Sequence, residues 1–376
     1  MHALRESGGR VLRRGRVLSA APRAVIDTAA LQHNLSRVRE FAPGRRVLAV
    51  IKANAYGHGI VTTAEALGTA DAFAVARLEE AVMLRAAGCR ARIVLLEGVA
   101  DARELGQAAQ LGLEPFVHQT AQIELLEVWR GAHSFQVWLK IDSGMGRLGF
   151  KPAELPAAAA RISACARVAG PANLVTHLAE AEQRGNATTR AQIDLFNEMT
   201  RGMPGERSIA NSAGLIAWPD AQADWVRPGI MLYGISPFAD AIGADLGLKP
   251  VMTLETRVLA LKDLAAGDRV GYGGTWTAKR GARIAIAAAG YGDGYPRSAA
   301  NGTPVQVNGM PAELAGRVSM DMLAIDVSDV LQVSVGDPVQ LWGPAVPVER
   351  VAAGAGTIGY ELTCRVSRRV RFERRP

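Results

Sequence analysis

From residue 24 to residue 234 the chain alternates between two textures. Largely apolar runs of five to eight residues occur at 47–52 (VLAVIK), 72–76 (AFAVA), 92–97 (RIVLLE), 113–118 (LEPFVH), 135–142 (FQVWLKID), 173–178 (NLVTHL), 207–212 (RSIANS) and 229–234 (GIMLYG). Between them lie stretches such as LEEAVMLRAAG, TAQIELLEVWR and TTRAQIDLFNEMTRG, in which apolar residues return every three or four positions. The first texture suits parallel strands buried on both faces; the second suits amphipathic helices. A short strand, AVID at 24–27, comes first and leads into a helix with Asp27 or Thr28 as its N-cap. Eight βα units in roughly 210 residues predict a (β/α)8 barrel of the TIM type. A doubly wound open sheet is the alternative, but no Gly-x-Gly-x-x-Gly follows the first strand.

Past Pro250 the texture changes. VMTLETRVLALKDL, RIAIAAAG, TPVQVNG, MLAIDVSD and VQLWG are β-type runs separated by Gly, Asn, Asp and Pro turns, and helical spacing becomes scarce. The expected organisation is a disordered leader at 1–21, a barrel at 22–248 and a mostly β domain at 249–376, with the strand at 24–27 a candidate to join the last.

Composition narrows the function classes. The 376 residues are 49% hydrophobic and 21% charged, ordinary values for a soluble globular protein. The net charge of +7 would suggest nucleic acid if it formed a patch. It concentrates instead at the two ends, in Arg5, Arg10, Arg13, Arg14 and Arg16, and in Arg365, Arg368, Arg369, Arg371, Arg374 and Arg375. Neither zinc spacing nor an aromatic RNA-binding signature accompanies it. Three scattered cysteines, Cys89, Cys165 and Cys364, fit a reducing compartment better than a disulfide framework. No apolar core of signal-peptide length precedes Pro22, and no run of about 20 apolar residues occurs. These features predict a cytoplasmic protein that binds neither nucleic acid nor membrane.

The candidate chemistry gathers where a barrel would put it, at the carboxyl ends of the strands. Lys52 closes the first run, inside AVIKANAYGHG. A lysine partly withdrawn from water loses its proton more easily, and its neutral amine can condense with a carbonyl; a lysine that snorkels out of a loop would look the same. Lys140 and Asp142 lead into a glycine turn carrying Arg147, His177 ends the sixth run, and Asn211 and Ser212 end the seventh. Arg227 precedes the eighth, which starts at Gly229 and Ile230. Singly, each is equally a satisfied core histidine or a structural ion pair. Together on one rim they favour an anionic ligand, because burying several cations costs several kcal/mol without one. A phosphate would sit by Ser212 and Gly229, after strands seven and eight. Phosphate plus a Schiff-base lysine points to pyridoxal phosphate; without Gly-x-x-x-x-Gly-Lys-Ser/Thr, a nucleotide is disfavoured. All six tyrosines (Tyr56, Tyr233, Tyr272, Tyr291, Tyr295 and Tyr360) have a glycine neighbour. A phenol at a glycine turn can bind phosphate or carry a proton, although Tyr233, at least, is expected only to pack.

The ordered set AVIKANAYGHG, LKIDSGMGRLGF, THLA, ANSAG, VRPGIMLYG, VGYGGTW, GYGDGYPR, GRVSMDM and GTIGYELTC resembles alanine racemases, fold-type III pyridoxal phosphate enzymes, from Pro22 to about Phe372. The resemblance implies a barrel followed by a β domain, and interconversion of L- and D-alanine. Lys52 would carry the cofactor and serve one face of the substrate Cα; Tyr272, from the second subunit of a head-to-tail homodimer, would serve the other. Tyr56, Ser212, Gly229, Ile230 and Tyr360 would surround the phosphate, with Asn211 beside them. Arg227 would meet the pyridine nitrogen, and His177 would contact Arg227 and the ring. Arg147 would lie near the cofactor's phenolic oxygen and the substrate carboxylate, while Met320 and Asp321 would line the pocket from the partner, with Tyr291 near its entrance. Lys140 matches a lysine often carbamylated in the family; an ion pair with Asp142 or another carboxylate is the plainer reading. No metal is implied. Gly292 stands where alanine is more usual. A broad-specificity racemase, a decarboxylase of the same architecture and a cofactor carrier are the rivals. Tyr272 and the second domain weigh against the last two.

Overall fold

The computed structural model describes residues 21–376. The leader expected at 1–21 therefore lies, apart from Ala21, outside the described residues. The chain enters through β1 (Arg23–Asp27) and the helix Thr28–Phe41. Asp27 is the cap: its carboxylate accepts the Ala30 N–H at 2.8 Å, satisfying one of the helix's free donors.

Eight strands follow: β2 (Arg46–Val50), β3 (Ala72–Val75), β4 (Ile93–Leu95), β5 (Leu113–Val117), β6 (Trp138–Lys140), β7 (Asn173–Val175), β8 (Arg207–Ser208) and β9 (Trp225–Val226). Each pairs in parallel with the next, and β2 pairs with β9, so the sheet closes into the expected barrel. The two-residue alternation of strands sorts the apolar side chains. Leu48 and Val50 join Phe116, Trp138, Val175 and Trp225 in an inner core, while Val47, Ala49 and Ile51 belong to the larger core shared with the helices. The amino end of the barrel is closed by a satisfied polar network. Glu114 accepts Arg92 Nε at 2.7 Å and the Trp138 indole at 2.9 Å; Glu206 pairs with Arg46 and accepts the Trp225 indole at 2.8 Å.

One strand differs from expectation. GIMLYG is not the eighth strand; Ile230–Tyr233 is a 3-10 turn, and the eighth strand is Trp225–Val226, upstream of it. Arg227 therefore follows the last strand rather than preceding it. Ile230, Met231, Leu232 and Tyr233 are all fully buried, and a short run buried on every side has no period to tell strand from turn. Tyr233 packs, as expected, with its hydroxyl donating to the Val50 carbonyl at 3.0 Å.

The second unit is mostly β, as its texture predicts. It contains β10 (Met252–Leu264), β11 (Arg269–Val270), β12 (Trp276–Thr277), β13 (Ala282–Ala287), β14 (Pro304–Val307), β15 (Met310–Leu314), β16 (Leu323–Asp326), β17 (Pro338–Trp342) and β18 (Arg371–Arg375). The long β10 organises it, pairing with β13, β17 and β1. β1, the first strand in the chain, lies in this sheet, antiparallel to β10 and parallel to β18. The helix Gly359–Arg365 carries Tyr360 back to the barrel rim.

Asn34 fastens the first helix to the segment joining barrel and sheet. It is wholly buried; its amide donates to the Leu232 and Lys249 carbonyls at 3.0 and 2.8 Å, and its Oδ1 accepts the Lys249 N–H at 2.8 Å. Asn34→Ala leaves three backbone groups without that partner, and we expect a loss of about 2–4 kcal/mol. Thermal unfolding followed by circular dichroism checks this; an unchanged melting temperature would refute it.

Candidate active site

The carboxyl ends of the barrel strands converge on a cavity of about 690 Å³. Lys52 follows β2, Lys140 ends β6, His177 follows β7, Asn211 and Ser212 follow β8, and Arg227, Gly229 and Ile230 follow β9. All of these line the cavity, together with Tyr56, Arg147 and Tyr360. Tyr272, Tyr291, Met320 and Asp321 do not line it. They lie on the second domain, exposed, with Tyr272 at 69%. One chain thus brings together all but four of the residues that the resemblance assigned to the site.

Positive charge dominates the cavity. Lys140 is buried, and its ammonium pKa falls to about 7 through burial first, then through Arg227, Arg147 and Lys52, with Asp142 opposing. Asp142 is occupied elsewhere: Oδ1 accepts the N–H groups of Gly144, Met145 and Gly146 at 2.9–3.0 Å. Arg227 is buried, which lowers its pKa to about 9, so it remains a cation at neutral pH. It donates to the Ser208 hydroxyl at 2.6 Å and to the Thr176 and Ile209 carbonyls at 2.5 and 3.1 Å, and approaches His177 Nδ1 at 3.5 Å. Burial and the same cations hold the His177 imidazole well below its ordinary pKa. It is neutral at pH 7 and can accept a hydrogen bond from Arg227.

The far side of the cavity is shaped by backbone. Ser212 Oγ accepts the Gly229 N–H at 2.9 Å, fixing the turn after β9 against the start of the helix Ser212–Ala217. A Cβ at Gly229 would lie 2.5 Å from the Tyr56 hydroxyl, so only glycine lets that phenol in. Tyr56 stacks on Tyr233 at 4.9 Å and meets Tyr360 at 6.0 Å. Asn211 serves the scaffold, because its Oδ1 caps the same helix by accepting the Gly214 N–H at 2.9 Å. Sequence reasoning missed Ser208 and the Thr176 carbonyl, which hold Arg227. A strand serine and a main-chain oxygen carry no motif signal; only the strand register brings them beside β9.

Comparison with known proteins matches this arrangement. Residues 26–237 match the family "Alanine racemase, N-terminal domain", and residues 251–374 match "Alanine racemase, C-terminal domain". The chain belongs to the alanine racemase family. It is 53% identical over 346 residues to an alanine racemase of Azoarcus sp. (92% of this chain, 97% of the relative). With that of Nitrosococcus oceani the identity is 51% over 350 residues (93% and 98%). The crystal structure of the biosynthetic alanine racemase of Pseudomonas aeruginosa superposes with a TM-score of 0.92 at 47% identity, covering 95% of this chain and 99% of that one. The Bartonella henselae alanine racemase, solved with covalently bound pyridoxal phosphate, gives 0.85 at 31% identity (95% and 100%). The barrel-plus-β architecture is therefore that of the alanine racemases, and the motifs recognised in the sequence fall on one alanine racemase-like frame.

The His177 environment has a measurable consequence. In the cofactor-free protein, its ring proton resonance should show no titration between pH 6 and 8. A midpoint near the ordinary value of about 6.5 would mean that the surrounding cations do not bear on the imidazole as the geometry requires.

Proposed function

We propose that Lys52 and Tyr272 are the two proton-transfer groups of this chain's pyridoxal phosphate-dependent interconversion of L- and D-alanine, each serving one face of the substrate Cα. The observation that carries this reading is the position of Lys52, at the carboxyl end of β2, in one cavity with Arg227, His177, Ser212 and Gly229.

The residues present fit the cofactor. The close approach of the Tyr56 hydroxyl to Gly229, the Ser212 hydroxyl beside the Gly229 amide, and the neighbouring Ile230 and Tyr360 make a seat for a phosphate dianion. The cationic cavity suits its charge. Arg227 would face the pyridine nitrogen; as a cation at neutral pH it disfavours a second positive charge there. His177 steadies Arg227. When bound, the cofactor supplies an electron sink that makes the substrate Cα–H acidic. Lys52 then takes the proton from one face, and Tyr272 returns one to the other. Arg147 holds the substrate carboxylate.

We assign Tyr272, Met320, Asp321 and Tyr291 to the site of a second copy, in a head-to-tail homodimer. Support comes from their exposure outside their own chain's cavity, and from Met322, also exposed, on the same domain. Such an exposed apolar set suits an interface. The three free cysteines support a cytoplasmic setting.

Lys140 we read as carbamylated. Its near-neutral pKa leaves free amine at pH 7, and among the described residues it forms no ion pair with Asp142. The nitrogen adds to carbon dioxide and releases one proton, giving an anion among Arg227, Arg147 and Lys52. A carbamate resonance after equilibration with 13C-bicarbonate, absent in Lys140→Ala, is the expected result; a spectrum without it removes the assignment.

Lys52→Ala should lower kcat by at least ~10³-fold, and Tyr272→Phe by at least ~10²-fold in both directions. Mixing the two variants tests the shared site. A dimer of one chain of each type keeps one intact Lys52–Tyr272 pair only if Tyr272 acts across the interface, so a random mixture should regain about a quarter of wild-type activity. No recovery means that Tyr272 acts in its own chain. Unimpaired racemisation by Tyr272→Phe, with unchanged deuterium uptake at Cα in D₂O, sinks the two-base reading.

A further inference from the structure

Four consecutive residues after Lys52, none of them glycine, adopt left-handed helical backbone: Ala53, Asn54, Ala55 and Tyr56 have φ of 52–55°. Each L-residue so placed costs roughly 1–2 kcal/mol. The turn therefore needs restraint from outside its own preferences. Some comes from the main chain, where Ala55 N–H donates to Ile51 at 2.9 Å and Gly57 N–H to Ala53 at 3.0 Å. Some comes from Asn54, whose Oδ1 accepts the Ile60 N–H at 2.9 Å, and from Glu80, which accepts the Asn54 N–H at 3.3 Å.

A further restraint is a side chain to which the catalytic reading gives no role. His58 is 1% exposed and stacks on Tyr233 with ring centroids 4.5 Å apart. Its Nδ1 lies 3.0 Å from both the Ala55 and the Tyr56 carbonyl oxygens. Both partners can only accept, so Nδ1 must carry the hydrogen. One N–H thus ties the last two carbonyls of the left-handed turn together. Burial lowers the imidazole pKa to about 4, which keeps the ring neutral in this role. The turn in question begins at Lys52 and ends at Tyr56, and both line the cavity.

We propose that His58 is a positioning residue for the reaction: its Nδ1–H, bridging the Ala55 and Tyr56 carbonyls, holds the left-handed turn that sets Lys52 and Tyr56 in the cavity. The proposal rests on the Lys52 reading above. It separates the donor of His58 from its ring. His58→Phe keeps a ring to stack on Tyr233 and loses the donor; His58→Asn loses the ring but can place an amide N–H where Nδ1 stood.

Hydrogen–deuterium exchange over residues 53–59 and steady-state kinetics at saturating pyridoxal phosphate, both on the holoenzyme, test it. In His58→Phe the amides of this segment should exchange about tenfold faster or more, and kcat should fall about 10- to 100-fold with KM for alanine little changed, as for a misplaced reacting group. His58→Asn should restore slow exchange and most of kcat. Wild-type exchange in His58→Phe overturns the proposal, as does faster exchange with unchanged kcat, or His58→Asn no better than His58→Phe. If His58→Phe does not fold, His58→Asn alone decides: fast exchange or a kcat loss as large as predicted for Phe overturns the role. Lys52→Ala serves as the control, since activity surviving in it would remove the Lys52 reading while leaving the exchange result intact.

Discussion

The structure depends on gathering cations at the open end of a closed barrel. Lys140 and Arg227 are buried, and Lys52 and Arg147 share their cavity. Like charges so close in a poorly solvated place repel one another, and each loses hydration. The chain answers this repulsion in two ways. It spreads Arg227 over neutral acceptors, the Ser208 hydroxyl and the Thr176 and Ile209 carbonyls. It also lowers the proton affinity of Lys140 and His177, so fewer positive charges coexist. What remains is a rim whose cations favour an anionic ligand. The opposite end of the barrel, where Glu114 and Glu206 already pair with Arg92 and Arg46, has no such demand.

The second constraint is how closely the two domains meet beside the cavity. A Cβ at Gly57 would stand 2.0 Å from the Thr363 carbonyl oxygen, so the end of the left-handed turn touches the main chain of the helix Gly359–Arg365. That helix supplies Tyr360, and the turn supplies Tyr56. A feature that looks local, a lysine followed by a glycine-rich turn, is therefore built between barrel and sheet. β1 extends the same coupling, because the strand that starts the barrel's first helix is held by β10 and β18 of the other domain. The positions of Lys52 and of the second domain are mechanically linked through this junction.

How much of this was legible in the residues follows from the range of the forces involved. Strand and helix textures report local burial, so the barrel and the mostly β second unit could be read from them. The cap of the first helix could be read to within one residue, Asp27 or Thr28, because a cap bonds only three residues away. The eighth strand could not, since Ile230–Tyr233 is buried on all sides and offers no period. Nor could the backbone of Ala53–Tyr56: alanine and tyrosine give no local reason for positive φ, and beside the local bonds of Asn54 and His58 it is held by the remote Glu80 and Thr363 main chain.

By itself, the sequence determined the alternation that closes a parallel barrel, the order of the motifs and, through them, the family. Those properties depend on residue type and spacing along the chain, which local burial and chain stiffness translate directly into structure. Tertiary structure alone decided which groups meet. It set Lys140 apart from Asp142, whose oxygen three backbone amides occupy. It gathered Lys52, His177, Ser212 and Arg227 on one rim and left Tyr272 outside. Charge, desolvation and steric contact act through space between residues such as Gly57 and Thr363, 306 positions apart, and no reading along the chain contains those distances.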